Sequence, residues 1–176
     1  MSASLGVSET VSNAAERDAR FAAMLAAYGG SITRVAGTYT RGAAERDDLA
    51  QEIAVALWQA LPRFRGECSE KTFVFRIAHN RGITHATRRK TFAPEVDVVD
   101  ERAPDPEGSL GSAERHAALL TAVRELPLSQ REVVTLALEE LSYDEIADVL
   151  GTTTSNVGVR LNRAKEALRA KMGGSR

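Results

Sequence analysis

Cysteine, aromatic residues and long apolar stretches are scarce in this sequence of 176 residues. The one cysteine, Cys68, excludes a disulfide framework within the chain and cannot form a zinc site alone. The chain has no apolar run of about 18 residues and no leader that is first basic and then apolar. We therefore expect a protein of the reducing cytoplasm without membrane insertion.

The motifs of common catalytic sites are also absent. The chain has no G-x-x-x-x-G-K-[ST] phosphate loop, no H-E-x-x-H zinc motif and no signature of an activated nucleophile. The sequence therefore predicts no enzymatic activity, no catalytic residues, no cofactor and no metal site.

The net charge of −1 hides a strong segregation of charge along the chain. Residues 63–90 include eight basic and two acidic residues, an excess of six positive charges. Residues 156–176 include six basic residues and one acidic residue, an excess of five. Two separated basic blocks indicate two contacts with a polyanion such as DNA.

An acidic segment rich in proline and glycine lies between the basic blocks. Residues 94–114 carry seven acidic residues and one arginine, together with three prolines and two glycines. This composition cannot bury a core, so it predicts a flexible acidic linker between two small helical domains, and the fold class is all-α. The predicted division is a flexible leader at 1–16, helical domains at 17–92 and 112–172, the linker at 93–111 and a tail at 173–176.

Apolar periodicity predicts two helices in the first domain. Apolar residues recur every fourth position from Leu49 to Leu61, and Pro62 ends this pattern. A later helix is predicted to begin near Thr72 and to close with the basic run at residues 88–90, which suits a helix C-terminus and phosphate groups. Its predicted core residues are Phe73, Val74, Ile77 and Ala78.

Residues 142–168 have the spacing of a helix-turn-helix motif. Ser142 and Glu145 fit an S-x-x-E capping box, and Gly151 follows where the chain must turn. An apolar stripe from Val157 then recurs at steps of four, three and four residues. The motif indicates DNA binding, and the alternative is an amphipathic helical hairpin buried in an ordinary all-α domain.

Another capping box is predicted before this motif. Pro127 ends a first helix of the second domain, and Ser129 with Glu132 then fits the S-x-x-E pattern of a new helix start. The second domain is therefore predicted to contain four helices.

Three motifs in this order resemble an extracytoplasmic-function (ECF) sigma factor of the sigma-70 family, the promoter-recognition subunit of bacterial RNA polymerase. The resemblance covers about residues 21–172 and implies two helical domains, called regions two and four. The motifs are DDLAQEIAVALWQALPRFRG at 47–66, TFVFRIAHNRGITHATRRK at 72–90 and LPLSQREVVTLALEELSYDEIADVLGTTTSNVGVRLNRAKEALR at 126–169.

The resemblance implies that the first motif docks on core RNA polymerase. In the family this acidic helix contacts a coiled coil of the β′ subunit, and the β subunit completes the interface with core polymerase. An exposed acidic row suits a basic partner helix and mainly provides specificity and encounter rate. The expected contact residues are Asp47, Asp48, Gln51 and Glu52.

The resemblance implies that the second motif binds and melts the −10 promoter element. A basic groove for the backbone and a loop at residues 66–71 as a pocket for unstacked bases would suit that task. Phe64, Phe73 and Phe75 are the nearby aromatic residues, and Phe73 is assigned to the core. The expected contacts are Arg65, Arg76, His79, Asn80, Arg81, Arg88 and Arg89.

The third motif matches the part of the family that reads the −35 element in the major groove. Gly158 replaces a frequent basic residue and Val159 a frequent serine, so the preferred promoter sequence cannot be copied from that of relatives. Val159 suits a thymine methyl group. The expected contacts are Asn156, Gly158, Val159, Arg160, Asn162 and Arg163.

Two alternatives to the sigma-factor hypothesis remain at this level. An autonomous helix-turn-helix regulator would bind duplex DNA without core polymerase, typically as a dimer on a palindrome. A sigma-like protein could also serve mainly as an interaction partner. Family members are commonly held inactive by an anti-sigma protein that inserts between the domains, which adds such a protein to the candidate partners.

Overall fold

The computed structural model describes residues 4–92, 119 and 121–173 of the backbone, with side chains at 15–89, 119 and 121–171. All regular structure in these residues is helical, which confirms the all-α prediction. The predicted linker at 93–111 lies outside the described residues. The helices with defined bounds are α1 (Ser4–Tyr39), α2 (Ala43–Ala60), α3 (Glu70–Phe92), α4 (Leu128–Leu138), α5 (Tyr143–Leu150) and α6 (Thr154–Gly173), with a 3₁₀ turn at Leu61–Arg63. Residues 119 and 121–124 are also helical.

The first three helices pack around one apolar core. Leu49, Ile53 and Leu57 of α2 are at most 1% exposed, which confirms the predicted stripe, and α2 ends just before Pro62. Helix α1 begins at Ser4 and therefore includes most of the segment predicted as a leader. None of the described helices has the length and apolar character needed to cross a bilayer.

Helix α3 contributes a different aromatic residue to this core from the one predicted. Phe75 is fully buried, so it is not available to unstacked bases. Phe73 is only partly buried and stacks on Phe64, with 4.2 Å between ring centroids. Two positions along a helix are about 200° apart around its axis, and α1 covers the face that carries Phe75, where Tyr28 contacts its ring edge.

The helix-turn-helix is formed by α5 and α6. Ser142 and Glu145 form the predicted capping box, and Gly151 ends α5 in the left-handed region with φ 61°. Val157 and Leu161 on α6 are nearly fully buried, as the stripe predicted. The short α5 thus has both ends fixed by local chemistry, and its turn positions α6.

The second predicted capping box is wrong. Helix α4 begins at Leu128, its N-cap is Pro127, and no side chain caps it. Ser129 is therefore the second residue inside the helix, where its hydroxyl is no longer at the capping position. Glu132 is 7% exposed and faces His79 of the first domain, with 3.8 Å between its Oε1 and the histidine Nδ1.

The two predicted domains contact each other directly. Helix α1 packs on α4, and α3 packs on α5. Arg131 Nη1 donates to the Thr38 carbonyl at 2.9 Å, and the Thr38 and Thr135 hydroxyl oxygens are 3.1 Å apart. We call this contact the domain interface, and no short-range sequence pattern predicted it.

Glu139 provides a hydrogen-bonded clamp at the edge of the domain interface. Its carboxylate accepts hydrogen bonds from the Ser31 hydroxyl at 2.6 Å and from Arg34 Nη2 at 2.8 Å. Burial raises the pKa of Glu139, but the hydrogen bonds from Arg34 and Ser31 together lower it by more than burial raises it. The pKa of Glu139 therefore lies below its ordinary value of 4.5. The ionised carboxylate is therefore the form that the folded chain stabilises.

This clamp should make the stability of the chain depend on pH. A depressed carboxyl pKa contributes stability above the unfolded value of 4.5, and the contribution disappears as pH falls through the lower folded value. We expect Glu139→Gln to lower the thermal unfolding midpoint at pH 7 and to have less effect as the pH falls below about 4. The same loss at neutral and at strongly acidic pH in calorimetry would contradict this account.

Candidate nucleic-acid and protein interfaces

The predicted acidic row is exposed on the outer side of α2. Asp47, Asp48, Gln51 and Glu52 all face solvent, because Leu49 and the rest of the apolar stripe occupy the opposite side of the helix. We call these four residues the acidic face. Asp47 forms an ion pair with Arg46 at 3.0 Å, so part of its charge is neutralised. Asp48 and Glu52 are one helical turn apart at the centre of the face.

Two large apolar side chains continue the acidic face along α2. Val55 is 55% exposed and Trp58 is 39% exposed. The Trp58 indole N–H donates to Asp18 at 3.2 Å, and the Arg17 guanidinium lies 4.2 Å from the ring centroid. Trp58 packs against α1 with part of its surface open. Val55 was missed, although it lies off the apolar stripe and one turn beyond Gln51.

Part of the predicted −10 surface is exposed on α3 and the loop before it. Asn80, Arg81 and Arg88 are exposed on α3, and Arg65 is exposed in the loop. Arg81 and Arg88 are seven residues apart and therefore lie on the same side of the helix, about 10 Å apart along its axis. This part of the surface has the charge expected for phosphate contacts.

The remaining predicted −10 residues are held by other parts of the fold. Arg89 Nη1 donates to the Tyr39 carbonyl at 3.2 Å and lies 3.5 Å from the Glu45 carboxylate. Arg76 forms an ion pair with Asp148 of α5 at 3.5 Å. The Arg89 side chain is 29% exposed, whereas the Arg76 side chain is 42% exposed and stays partly open to solvent beside its ion pair.

His79 lies in the domain interface with its side chain 12% exposed. Its Nδ1 is 2.7 Å from the Tyr39 hydroxyl, and Glu132 approaches the same nitrogen from α4. Burial lowers the pKa of His79 and raises the pKa of Glu132, so the interface favours the neutral form of both groups. His79 is therefore covered here and is not exposed to a phosphate.

The loop at residues 66–71, which was predicted to hold unstacked bases, contacts the start of α5 and the residues before it. Lys71 Nζ donates to the Glu140 carbonyl at 3.0 Å, and the Ser69 hydroxyl donates to Glu145 at 3.3 Å. Beside the loop, the Phe64 and Phe73 rings stack on each other, and the Arg20 guanidinium lies 5.2 Å from the Phe64 centroid. Stacked aromatic rings next to a basic surface are suited to bind unpaired bases.

The predicted −35 residues lie together on the exposed side of α6. Asn156, Asn162 and Arg163 are exposed, Val159 is 46% exposed, and Arg160 Nε donates to the Asn156 amide oxygen at 3.0 Å. This bond fixes two hydrogen-bonding side chains at the start of the helix.

Gly158 lies on α6 beside Tyr143 of α5. A Cβ atom at Gly158 would be 3.7 Å from the Tyr143 ring, an ordinary contact. The fold itself therefore does not require glycine at this position.

Comparison with protein families matches both domains. Residues 24–92 match the family described as Sigma-70 region 2, and residues 116–168 match Sigma-70, region 4. The chain is 32% identical over 143 residues to the RNA polymerase sigma-H factor of Pseudomonas aeruginosa, covering 74% of each protein. It is 29% identical over 154 residues to the ECF RNA polymerase sigma-E factor of Haemophilus influenzae, covering 79% of this chain and 82% of that protein.

Solved structures share the fold over 89% of this chain. The sigma factor RpoE of Bartonella quintana, solved in complex with the anti-sigma factor NepR, matches with a TM-score of 0.75 and 19% identity over 99% of its length. CnrH, solved with the cytosolic domain of CnrY, matches with a TM-score of 0.65 and 24% identity over 89% of its length. At these identities the matches establish the fold only.

Proposed function

Because this chain belongs to the sigma-70 family as an ECF sigma factor, we propose that it initiates transcription through two separate DNA contacts and one polymerase contact. The observation that carries this proposal is the order of its surfaces: an exposed acidic helix face, a basic helix and an exposed helix-turn-helix on one chain. Binding alone suffices for this function, so no reaction is assigned to the chain itself.

We assign core polymerase to the acidic face of α2. Asp48 and Glu52 provide negative charge at its centre, and Val55 adds an exposed apolar contact at its end. At a specific protein interface that combines acidic and apolar side chains, the charges mainly set partner choice and the apolar side chain adds affinity. A basic helix of the β′ subunit, with the β subunit beside it, fits this surface.

We assign the −10 element to α3 and the loop before it. Arg65, Arg81 and Arg88 are exposed for phosphate contacts, and Asn80 is exposed for a base edge. The stacked rings of Phe64 and Phe73 are the proposed support for unpaired bases of the non-template strand. His79 joins this surface only when the domain interface is open, whereas Arg76 is already 42% exposed beside Asp148, and Arg89 instead holds α3 against Tyr39.

We assign the −35 element to the exposed side of α6. Asn156 and Arg160 are joined by a hydrogen bond, and Asn162 and Arg163 follow on the exposed side of the helix. Arginine pairs with guanine and asparagine with adenine through two hydrogen bonds each in the major groove. The 46% exposed Val159 suits a thymine methyl group.

Arg163→Ala should weaken promoter use in a sequence-dependent way. A lost two-bond contact to a base costs about 1–3 kcal/mol, which is about 5-fold to more than 100-fold in affinity, and only promoters carrying that base should suffer. Arg88→Ala should instead weaken all promoters alike and reduce the slope of log affinity against log salt by about 1. Equal losses for Arg163→Ala on every single-base variant of a −35 element would contradict base reading there.

The proposed function is tested by run-off transcription with purified bacterial core polymerase and genomic promoter fragments from the source organism. We expect transcripts that require the chain. Tight binding of the chain alone to duplex DNA, without core binding or transcripts, would instead identify an autonomous regulator. That alternative is not favoured, because its function needs no region 2 domain, which this chain contains at residues 24–92.

An anti-sigma protein is a further proposed partner. The support is one structural relative, the sigma factor RpoE, which was solved in complex with the anti-sigma factor NepR. Co-purification of the tagged chain from its own cells, followed by loss of transcription when the captured protein is added, would establish such a partner.

A further inference from the structure

A small surface pocket lies between the turn that joins α1 to α2 and the helical residues before α4. Three of its lining residues are arginines, and none is acidic. Arg41 precedes α2, Arg46 is the fourth residue of α2, and Arg124 belongs to the second domain. We call this site the arginine pocket. None of its arginines belongs to the two basic blocks that the sequence assigned to DNA.

The size of the arginine pocket limits what it can hold. Its volume is about 30 Å³. One water molecule needs about 10–15 Å³ on this measure, whereas a pocket that buries a whole small-molecule ligand has about 300–1,000 Å³. A Cβ atom at the lining residue Gly42 would meet no atom within 4 Å, so the pocket is open on that side. It therefore suits one compact group, with the rest of any larger ligand outside.

The nearby carboxylates leave positive charge at the arginine pocket. Glu45 does not line it and accepts a hydrogen bond from the Arg41 backbone N–H at 2.8 Å. Asp47 pairs with Arg46 at 3.0 Å and offsets part of that charge. Arg124 is exposed and forms no ion pair within the part of the chain that the structure describes. Its guanidinium is therefore available to an anion from solution.

Two further arginines add to the positive potential beside the pocket. Arg131 donates to the Thr38 carbonyl at 2.9 Å, and Arg89 donates to the Tyr39 carbonyl at 3.2 Å. Burial lowers the pKa of Arg131, and the positive charges of Arg89 and Arg124 lower it further. These arginines therefore repel one another, and an anion bound at Arg124 would reduce that repulsion.

We propose that the arginine pocket binds the phosphate group of a small ligand, either a free phosphate or diphosphate or the terminal phosphate of a nucleotide. A guanidinium offers its N–H donors in a planar fork that matches two phosphate oxygens, and one phosphate group has enough oxygens to accept from several arginines. A carboxylate has only two oxygens and a single negative charge. Such binding is independent of the sigma-factor function, because it uses none of the residues assigned to promoter DNA.

Gly42 offers a substitution that fills the site with a fixed carboxylate. It is the N-cap of α2, has an extended backbone with φ −135° and ψ 168°, and provides no side-chain cap. Aspartate and asparagine are both favoured at an N-cap, so either residue should leave the fold intact. Gly42→Asp adds a negative charge beside the arginines, and Gly42→Asn is the matched control because it adds nearly the same shape without the charge.

Calorimetric titration of the full chain with inorganic diphosphate, at constant ionic strength, tests this inference. We expect one saturable site in the parent chain. Gly42→Asp should weaken binding at least tenfold and Arg124→Gln at least fivefold, while Gly42→Asn should stay within about threefold of the parent. Arg63→Gln removes an exposed arginine from the 3₁₀ turn, which does not line the pocket, and should bind like the parent.

Two results would overturn the inference. One is a parent chain without saturable binding of diphosphate. The other is a loss for Arg63→Gln as large as that for Arg124→Gln, or for Gly42→Asn as large as that for Gly42→Asp, because binding would then not depend on the charge of this pocket.

Titration with adenosine 5′-diphosphate and with adenosine separates the two sources of the phosphate group. Binding of the nucleotide that is tighter than that of inorganic diphosphate, and lost in Gly42→Asp, would support a nucleotide ligand. Equal affinities with the same dependence on Gly42→Asp would support a free anion. Adenosine should not bind in either case, and binding of adenosine as tight as that of its diphosphate would count against a phosphate site.

Discussion

Asp48→Arg is expected to reduce transcription by this chain more than tenfold while leaving its fold and its DNA affinity intact. The residue is exposed at the centre of the acidic face, so the substitution breaks no core contact. It changes an attraction for a basic partner helix into a repulsion, and like charges brought together at an interface cost several kcal/mol. The measurement is run-off transcription together with direct titration of core polymerase, and both should show the loss.

Glu125→Arg is the matched control for this reversal. Glu125 is exposed and pairs with Lys171 in the second domain, so the variant makes the same change in net charge far from α2 along the chain. An exposed pair of this kind contributes little to stability, about 0–1 kcal/mol. Glu125→Arg should bind core polymerase within about twofold of the parent. Similar losses in both variants would show that net charge, and not the acidic face, controls docking.

Elements with strong local chemistry were predictable from the sequence. The start of α5 is fixed by the hydroxyl of Ser142 and the carboxylate of Glu145, and its end by the left-handed Gly151, all within ten residues. The core side of α2 was equally clear, because four apolar residues share one helical face and Pro62 follows. In both helices the residues that determine the structure are close together in the sequence. Apolar periodicity and capping residues therefore suffice to predict them.

The capping box predicted from the same S-x-x-E pattern was wrong for α4, one helix earlier. Ser129 and Glu132 match the capping box as well as Ser142 and Glu145 do, but Pro127 begins the helix and shifts the serine inside it. Glu132 is then buried toward His79. A pattern of residues does not specify which residue has the extended backbone that a cap requires, and Pro127 provides it here with ψ 143°.

The domain interface could not be predicted from sequence patterns. The clamp between Arg34 and Glu139 joins residues 105 positions apart, and neither residue has a local feature that distinguishes it from an ordinary surface charge. The interface also explains why two of the predicted −10 residues, Arg76 and His79, contact the second domain. Asn80, Arg81 and Arg88 are exposed as expected, whereas His79 is covered by a domain that is distant in sequence and Arg76 forms an ion pair with that domain.

Gly82→Ala is expected to destabilise the first domain although alanine favours helices. A Cβ atom at Gly82 on α3 would lie 2.2 Å from the Tyr39 ring, far inside van der Waals contact. Tyr39 is 4% exposed, and its hydroxyl is held at 2.7 Å from His79, so the ring has no room to retreat. Overpacking costs about 3 kcal/mol at the upper end of its usual range, against a gain of about 1 kcal/mol in helix propensity.

The expected net loss of about 2 kcal/mol corresponds to roughly 4–8 °C in the thermal midpoint of a chain of this size. Gly29→Ala is the matched control, because Gly29 also lies in a helix but a Cβ atom there would have no neighbour within 4 Å, so its substitution should stabilise. In a Tyr39→Ala background the cost of Gly82→Ala should disappear, since the ring that it strikes is gone. If Gly82→Ala remains equally destabilising without that ring, then the close approach of α1 and α3 is not set by Tyr39, and the position of His79 in the domain interface needs another cause.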